Sequence, residues 1–215
     1  MYGRSVTRLA VAALLLAACT PTLVIAPSAS PTAPVPAART DQVGNVLGPV
    51  TDAATWMRLK ARPLNLPSLA PGAACPVSSS ATYPGSAVAA AFGEGPIFAV
   101  TGGSAIGLGP AGTDGLRGGK VLWSSRPEYT GPALIRGARL DGAGDVRFSG
   151  GASTALRFDL DTHTRAGDGD TGSILGWRYL PSLVYVAGAG CYGFQIDLPG
   201  GTATIITLAA TIQVP

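Results

Sequence analysis

Few residues in this 215-residue chain are equipped for chemistry: three cysteines, one histidine and twelve carboxylates. A nucleophilic serine needs a base to take its proton, and His163 is the sole imidazole. It stands in Asp159-Leu160-Asp161-Thr162-His163-Thr164-Arg165, expected at a strand end or in a loop. A triad would draw on Ser104 or Ser153. Neither occupies a G-x-S-x-G elbow, since Gly103-Ser104-Ala105-Ile106 lacks the second glycine. A solvated loop histidine is the expected role. Asp161 and His163 together fall short of the three or four ligands of a stable zinc site.

The glycine-rich run Gly109 to Lys120 fails as a phosphate-binding loop on spacing. Asp114 occupies the position of the first glycine, and Val121 that of the Mg²⁺-binding hydroxyl residue. Asp159, Asp161, Asp168 and Asp170, with glycines at 167, 169 and 172, have the oxygen chemistry of a Ca²⁺ loop. They lack the D-x-D-x-D-G frame with its later Glu, and turn-forming Asp-Gly pairs account for the second cluster without a metal. No catalytic, cofactor-binding or metal-ligating residue is therefore assigned, and the chain is read as a non-enzyme.

The cysteines are more informative. Arg4 and Arg8 give a basic start, and Leu9 to Ala18 is an unbroken apolar run. As a helix it would cover about 15 Å, roughly half a hydrocarbon core, which is the length of a signal peptide rather than a membrane span. The run ends in Leu16-Ala17-Ala18-Cys19, which resembles the bacterial lipobox, whose cysteine receives a diacylglyceryl lipid before cleavage. Pro21, Pro27, Pro31, Pro34 and Pro36 follow in a stretch rich in Ala, Ser and Thr, the composition of a semi-extended spacer. This divides the chain into a signal at 1–18, a lipidated cysteine and tether at 19–48, and one folded domain at 49–215. With Cys19 lipidated, Cys75 and Cys191 remain as an even pair in an oxidising compartment, and a disulfide between them is expected.

Of the fifteen basic residues, Arg4 and Arg8 leave with the signal, so thirteen face twelve acidic ones. Lys60 and Lys120 are the only lysines and no basic cluster exists, which argues against a nucleic-acid surface. Thirty glycines and eighteen prolines predict many turns and short strands.

The elements follow from pattern. Asp52 to Ala61 reads as a helix capped by Asp52, with Ala53, Trp56, Met57 and Lys60 on one face, and Pro63 stops it. Pro63 to Leu69 alternates leucine with polar residues and is expected as an extended edge segment. Ile97 to Val100 is a buried strand, with Ala105 to Leu108 as its hairpin partner and Gly109 to Gly119 as a long loop. Strands follow at Lys120–Ser125, Ala133–Leu140, Asp145–Ser149 and Ala155–Leu160, the middle two paired about Asp141-Gly142-Ala143-Gly144. Trp177–Tyr179 and Leu183–Val186 are expected as two short strands. In Cys191–Leu198, Tyr192, Phe194, Ile196 and Leu198 face one way, with Gln195 and Asp197 opposite. Thr202 to Val214 closes the chain. Eight to ten short strands of this spacing predict a mainly β fold, an antiparallel sandwich with one short N-terminal helix.

The run Trp56-Met57-Arg58-Leu59, Arg62-Pro63-Leu64-Asn65-Leu66-Pro67, Gly72-Ala73-Ala74-Cys75-Pro76-Val77-Ser78 and the later Gly188-Ala189-Gly190-Cys191-Tyr192 resembles a group of exported actinobacterial and Chloroflexi proteins. The resemblance implies an immunoglobulin-like sandwich, in which a Cys75–Cys191 bridge pins the N-terminal segment to the late hairpin. It supplies no chemistry.

The expectation is a lipid-anchored, extracytoplasmic, non-catalytic binding or structural module. Its partners would be the membrane, through Cys19, and an envelope protein or glycan docking on loops 109–119 or 161–173. The alternatives are an envelope hydrolase built on Asp carboxylates, and a ligand sensor or transport accessory with a pocket between sheets.

Overall fold

The computed structural model describes residues 39–40, 46–47, 51–84, 86–159, 164–165, 177–201 and 203–213, all within the unit Pro36–Pro215. The described chain is mainly β. Within the stretch read as tether lies a two-stranded ladder, β1 (Arg39–Thr40) with β2 (Val46–Leu47). Helix α1 (Ala53–Lys60) follows, then β3 (Ser80–Thr82), β4 (Ala90–Phe92), β5 (Ile97–Thr101), β6 (Ile106–Ala111) and β7 (Arg117–Ser125). The second half holds β8 (Ala133–Arg139), β9 (Ala155–Phe158), β10 (Thr164–Arg165), β11 (Arg178–Val186), β12 (Gly190–Asp197) and β13 (Ala203–Ile212).

Eleven of these strands form one connected sheet in the order β3-β4-β5-β7-β6-β13-β12-β8-β9, with β11 on β7 and β10 on β11. Every pairing is antiparallel except β6 with β13. Strand β7 organises it. On one edge its C-terminal part pairs β5 and its N-terminal part pairs β6, while β11 runs along the other edge from Arg178↔Ser125 to Val186↔Arg117. Gly119 makes the β6 crossing possible, because a Cβ there would lie 2.4 Å from Ile106 Cγ2.

The sheet is not flat. Trp123 on β7 and Phe194 on β12 lie three strand spacings apart in that order, about 14 Å in a flat sheet. Their ring centroids are 5.4 Å apart, edge to face. The sheet therefore folds back until its inner faces meet. The core so formed is the alternate-residue set of each strand: Val121 and Trp123, Ala133 and Ile135, Val184 and Val186, Tyr192, Phe194 and Ile196, Ile206, Leu208 and Ala210. Period-two alternation puts them all inward. All five residues of β5 are buried, because its outward-facing Phe98 and Val100 pack in a second cluster with Tyr83 and Ala91.

Helix α1 starts where expected. Asp52 accepts a hydrogen bond from Thr55 N at 2.6 Å, and that backbone bond foremost holds its carboxyl below the ordinary carboxylate range. The buried face differs from the expected one: Trp56 and Leu59 pack on Leu134, while Met57 is 66% exposed and Lys60 also faces solvent. Burial of the Trp56 indole, with Arg157 stacked 5.1 Å from its ring, sets the rotation of the helix. Met57, about 100° further round, is carried outward.

Other expectations are corrected by competition for strand edges. Ala105–Leu108 does not pair with β5, whose two edges belong to β4 and β7. The expected Gly109–Gly119 loop is largely strand, and the turn shrinks to a tip where Gly112 N bonds Leu116 O at 2.7 Å. Asp145–Ser149 forms only isolated bridges, since β12 takes one edge of β8 and β9 takes the other at Ala133–Arg136. The expected strands at Trp177–Tyr179 and Leu183–Val186 are one, β11, running through Pro181. A missing N–H is tolerated there because, among the described residues, β10 meets β11 at Arg178 and Tyr179 and not at Pro181. Pro63–Leu69 is irregular and enters no ladder.

Candidate functional site

The best-developed polar site lies where strand alternation alone would put solvent. Gln195 and Asp197 point away from the core, yet they are 3% and 0% exposed. The segment from Arg62 to Ser78 covers this face of β12 as a strap. Gln195 treats the strap as a neighbouring strand would: its Oε1 accepts from Asn65 N at 2.7 Å and its Nε2 donates to Pro63 O at 3.0 Å. Arg136, opposite Gln195 on β8, donates to Arg62 O at 2.8 Å and to Asp197 Oδ2 at 2.6 Å. Arg62 donates to Leu198 O at 2.7 Å and lies 3.9 Å from Asp197 Oδ1.

Further along, Gly193 leaves room for the strap. A Cβ there would stand 3.1 Å from Leu66 Cδ2 and 2.8 Å from Leu140 Cδ2. Leu69 N then bonds Leu140 O at 2.7 Å, and Cys75 joins Cys191 with Cα atoms 5.4 Å apart. Ser78 completes the attachment on β13, its N–H donating to Thr207 O while its Oγ accepts from Thr207 N, both at 2.9 Å. The Arg-Pro-Leu-Asn-Leu-Pro motif is thus the part of the strap that Gln195 and Arg136 bind. Sequence reading missed this cluster, although polar Gln195 and Asp197 between apolar neighbours carried the signal.

A second polar group supports the turn after β7. Arg178 is 2% exposed and donates to Ser125 Oγ at 3.2 Å, Tyr129 O at 2.8 Å and Gly131 O at 3.1 Å. Its guanidinium lies 5.1 Å from the Phe158 ring centre. Burial pushes the Tyr129 phenol up to about 12. At the start of β12, Tyr192 donates from its hydroxyl to Gly188 O at 2.7 Å, and burial raises its pKa too. Nearby, the hydrogen bond from Arg139 holds Asp141 below the ordinary carboxylate range, across 2.7 Å.

His163, Asp161, Asp168 and Asp170 lie outside the described residues, as do Cys19 and the signal and lipobox. Asp159 is 7% exposed and accepts from Thr51 Oγ1 at 2.7 Å, which ties the start of the domain to the end of β9. Ser153 donates to Ala155 O, and Ser104 is exposed. The remaining described aspartates have structural partners: Asp52 caps α1, Asp114 binds Leu116 N, and Asp145 lies 3.9 Å from Arg147. Among the described residues no three His, Cys, Asp or Glu side chains gather as a metal site.

Open clefts line the described part of the sheet. One, of about 390 Å³, lies between Ser78, Ser79, Gly93, Glu94 and Thr204. Another, of about 420 Å³, lies where β5 and β6 diverge and includes Thr101, Gly103, Ser104, Lys120 and Gln213. Among the described residues no helix is long and apolar enough to cross a membrane. No family model, curated protein or solved structure matches the chain.

Proposed function

We propose that this chain is an exported lipoprotein: a lipid on Cys19 and a spacer hold a non-catalytic binding or structural module on the outer face of the cell membrane. The observation that carries it is the Cys75–Cys191 disulfide. Structural disulfides belong to oxidising compartments. This one accounts for both downstream cysteines and leaves Cys19 as the remaining thiol, at the end of the apolar run Leu9 to Ala18. The β1–β2 ladder lies within the proposed tether.

The domain is proposed to be an immunoglobulin-like sandwich. Two ladders support that reading: β5-β7-β11-β10 and β9-β8-β12-β13 follow the A-B-E-D and C′-C-F-G orders of that fold. Tyr192 supports it as well. It lies two residues before Phe194, which faces Trp123 across the core, and its hydroxyl turns back to Gly188 O, as in the tyrosine corner. The departure is the disulfide, which joins the strap to β12 rather than one layer to the other.

A partner, either an envelope protein or a glycan, would meet the module at its loops, with the Gly112–Leu116 tip the best placed among those described. The engagement of Asp52, Asp114, Asp141, Asp145, Asp159 and Asp197 in local contacts favours this reading over a carboxylate hydrolase. The test is metabolic labelling with a fatty-acid analogue in the wild type and in Cys19→Ala. Label and membrane fractionation should both disappear in the variant; their persistence would overturn the lipid anchor. Proximity labelling on intact cells should then return a reproducible envelope neighbour, and its absence would count against a binding role.

A further inference from the structure

We propose that the face of β12 and β8 under the strap is a peptide-binding site, occupied in this chain by its own Arg62–Leu69 segment. The partner it fits is the same segment of a second copy. This goes beyond the proposed anchoring and concerns the β domain whether or not Cys19 carries lipid.

Three observations separate a bound ligand from a piece of framework. First, most of the strap stays at the surface: Pro63, Leu64, Asn65, Pro67 and Ser68 are exposed, and Arg62, Leu66 and Leu69 are half-buried. Second, much of its grip comes from side chains reading main chain. Gln195 takes one N–H and one C=O two residues apart, and Arg136 takes a third main-chain group. That is how an extended peptide is recognised: main-chain bonds give affinity, and a pocket for an alternate side chain, here Leu66 over Gly193, gives selectivity. Third, Pro63 and Pro67 fix their own φ and disfavour helical backbone at Arg62 and Leu66, so less entropy is lost on binding.

The site beneath is built to receive such a main chain. Asp197 accepts from both Arg136 and Gln195, the two groups that read the strap, and so holds their side chains toward it. The disulfide on one side and helix α1, packed on Leu134, on the other set the occupancy. Cys75 follows Leu66 by nine residues, so the segment is presented at an effective concentration of order millimolar. A second copy competes only when its segment is comparably concentrated.

The exposed turn at Ala70–Ala73, closed by Ala73 N to Ala70 O at 3.0 Å, provides the test. A protease site placed there in the purified chain would cut the strap from Cys75 while leaving the disulfide in place. The cut chain should keep a cooperative unfolding transition, hold its N-terminal fragment on gel filtration, and exchange that fragment for a fluorescent peptide of residues 51–70. Gln195→Ala should weaken peptide binding by roughly tenfold or more, because two main-chain bonds are lost. A Leu66→Ala peptide should also bind more weakly. Collapse of the cut chain once the fragment is removed would make the strap framework and overturn the proposal. So would failure of the labelled peptide to bind at millimolar concentration, or equal binding to Gln195→Ala.

Discussion

Arg136 and Asp197 meet at 2.6 Å beneath the strap, and the carboxylate they bury has no solvent exposure at all. Removing one partner of such a pair strands the other charge in a poorly solvated place. Asp197→Ala should therefore cost about 3–5 kcal/mol. Replacing both, as Arg136→Met with Asp197→Leu, should recover most of it, because the pair's own net contribution is small. Urea unfolding of the three proteins measures this. An Asp197→Ala protein as stable as the wild type would refute it.

The Cys75–Cys191 bridge closes a separation of 116 residues. Constraint of the unfolded chain on that scale contributes about 4–5 kcal/mol, less any strain. Cys75→Ser with Cys191→Ser should lower the urea midpoint accordingly, and dithiothreitol should do the same to the wild type alone. Thiol titration of denatured, unreduced domain should find neither cysteine free.

Alkaline pH should destabilise the domain. Tyr83, Tyr129 and Tyr192 each have a raised pKa, first of all through burial, and Tyr129 reaches about 12. Below about pH 10, the unperturbed value, the phenols are protonated in both states and their contribution is complete. Above it the unfolded chain loses protons that the native state keeps, so stability falls as pH rises toward the folded values. The denaturation midpoint should drop between pH 8 and pH 11, with tyrosinate absorbance rising as the protein unfolds. In Tyr129→Phe the drop should be shallower. An identical midpoint at both pH values would contradict this.

How much of this was legible depends on the range over which each residue's role is decided. The Asp52 cap and the Pro63 stop are settled within one helical turn, so α1 could be read directly from the chain. The alternation of Tyr192, Phe194, Ile196 and Leu198 is equally local, because a pleated strand turns every second side chain the same way. The partners of Ile106 and Val146 were not legible. Strand edges are a shared resource, and which segment wins one depends on every other segment in the sheet. Gly119 reads as loop for a related reason: its lack of a side chain serves the close crossing of β6, which is a contact across the fold.

By itself the amino-acid sequence determined the mainly β character, helix α1 and the inward face of β12, and it made Cys75 with Cys191 the expected pair once Cys19 was read as lipidated. These follow from backbone periodicity, turn chemistry and thiol arithmetic, all of which act within a chain before it folds. Only the tertiary structure decided that Gln195 and Asp197, polar residues on an outward face, would be buried, and that Arg-Pro-Leu-Asn-Leu-Pro would be what buries them. The physical reason is that burial belongs to pairs of surfaces. Gln195 and Asn65 are 130 residues apart in the chain. The two hydrogen bonds that join Gln195 to the strap exist only once the folded sheet has brought β12 beneath it.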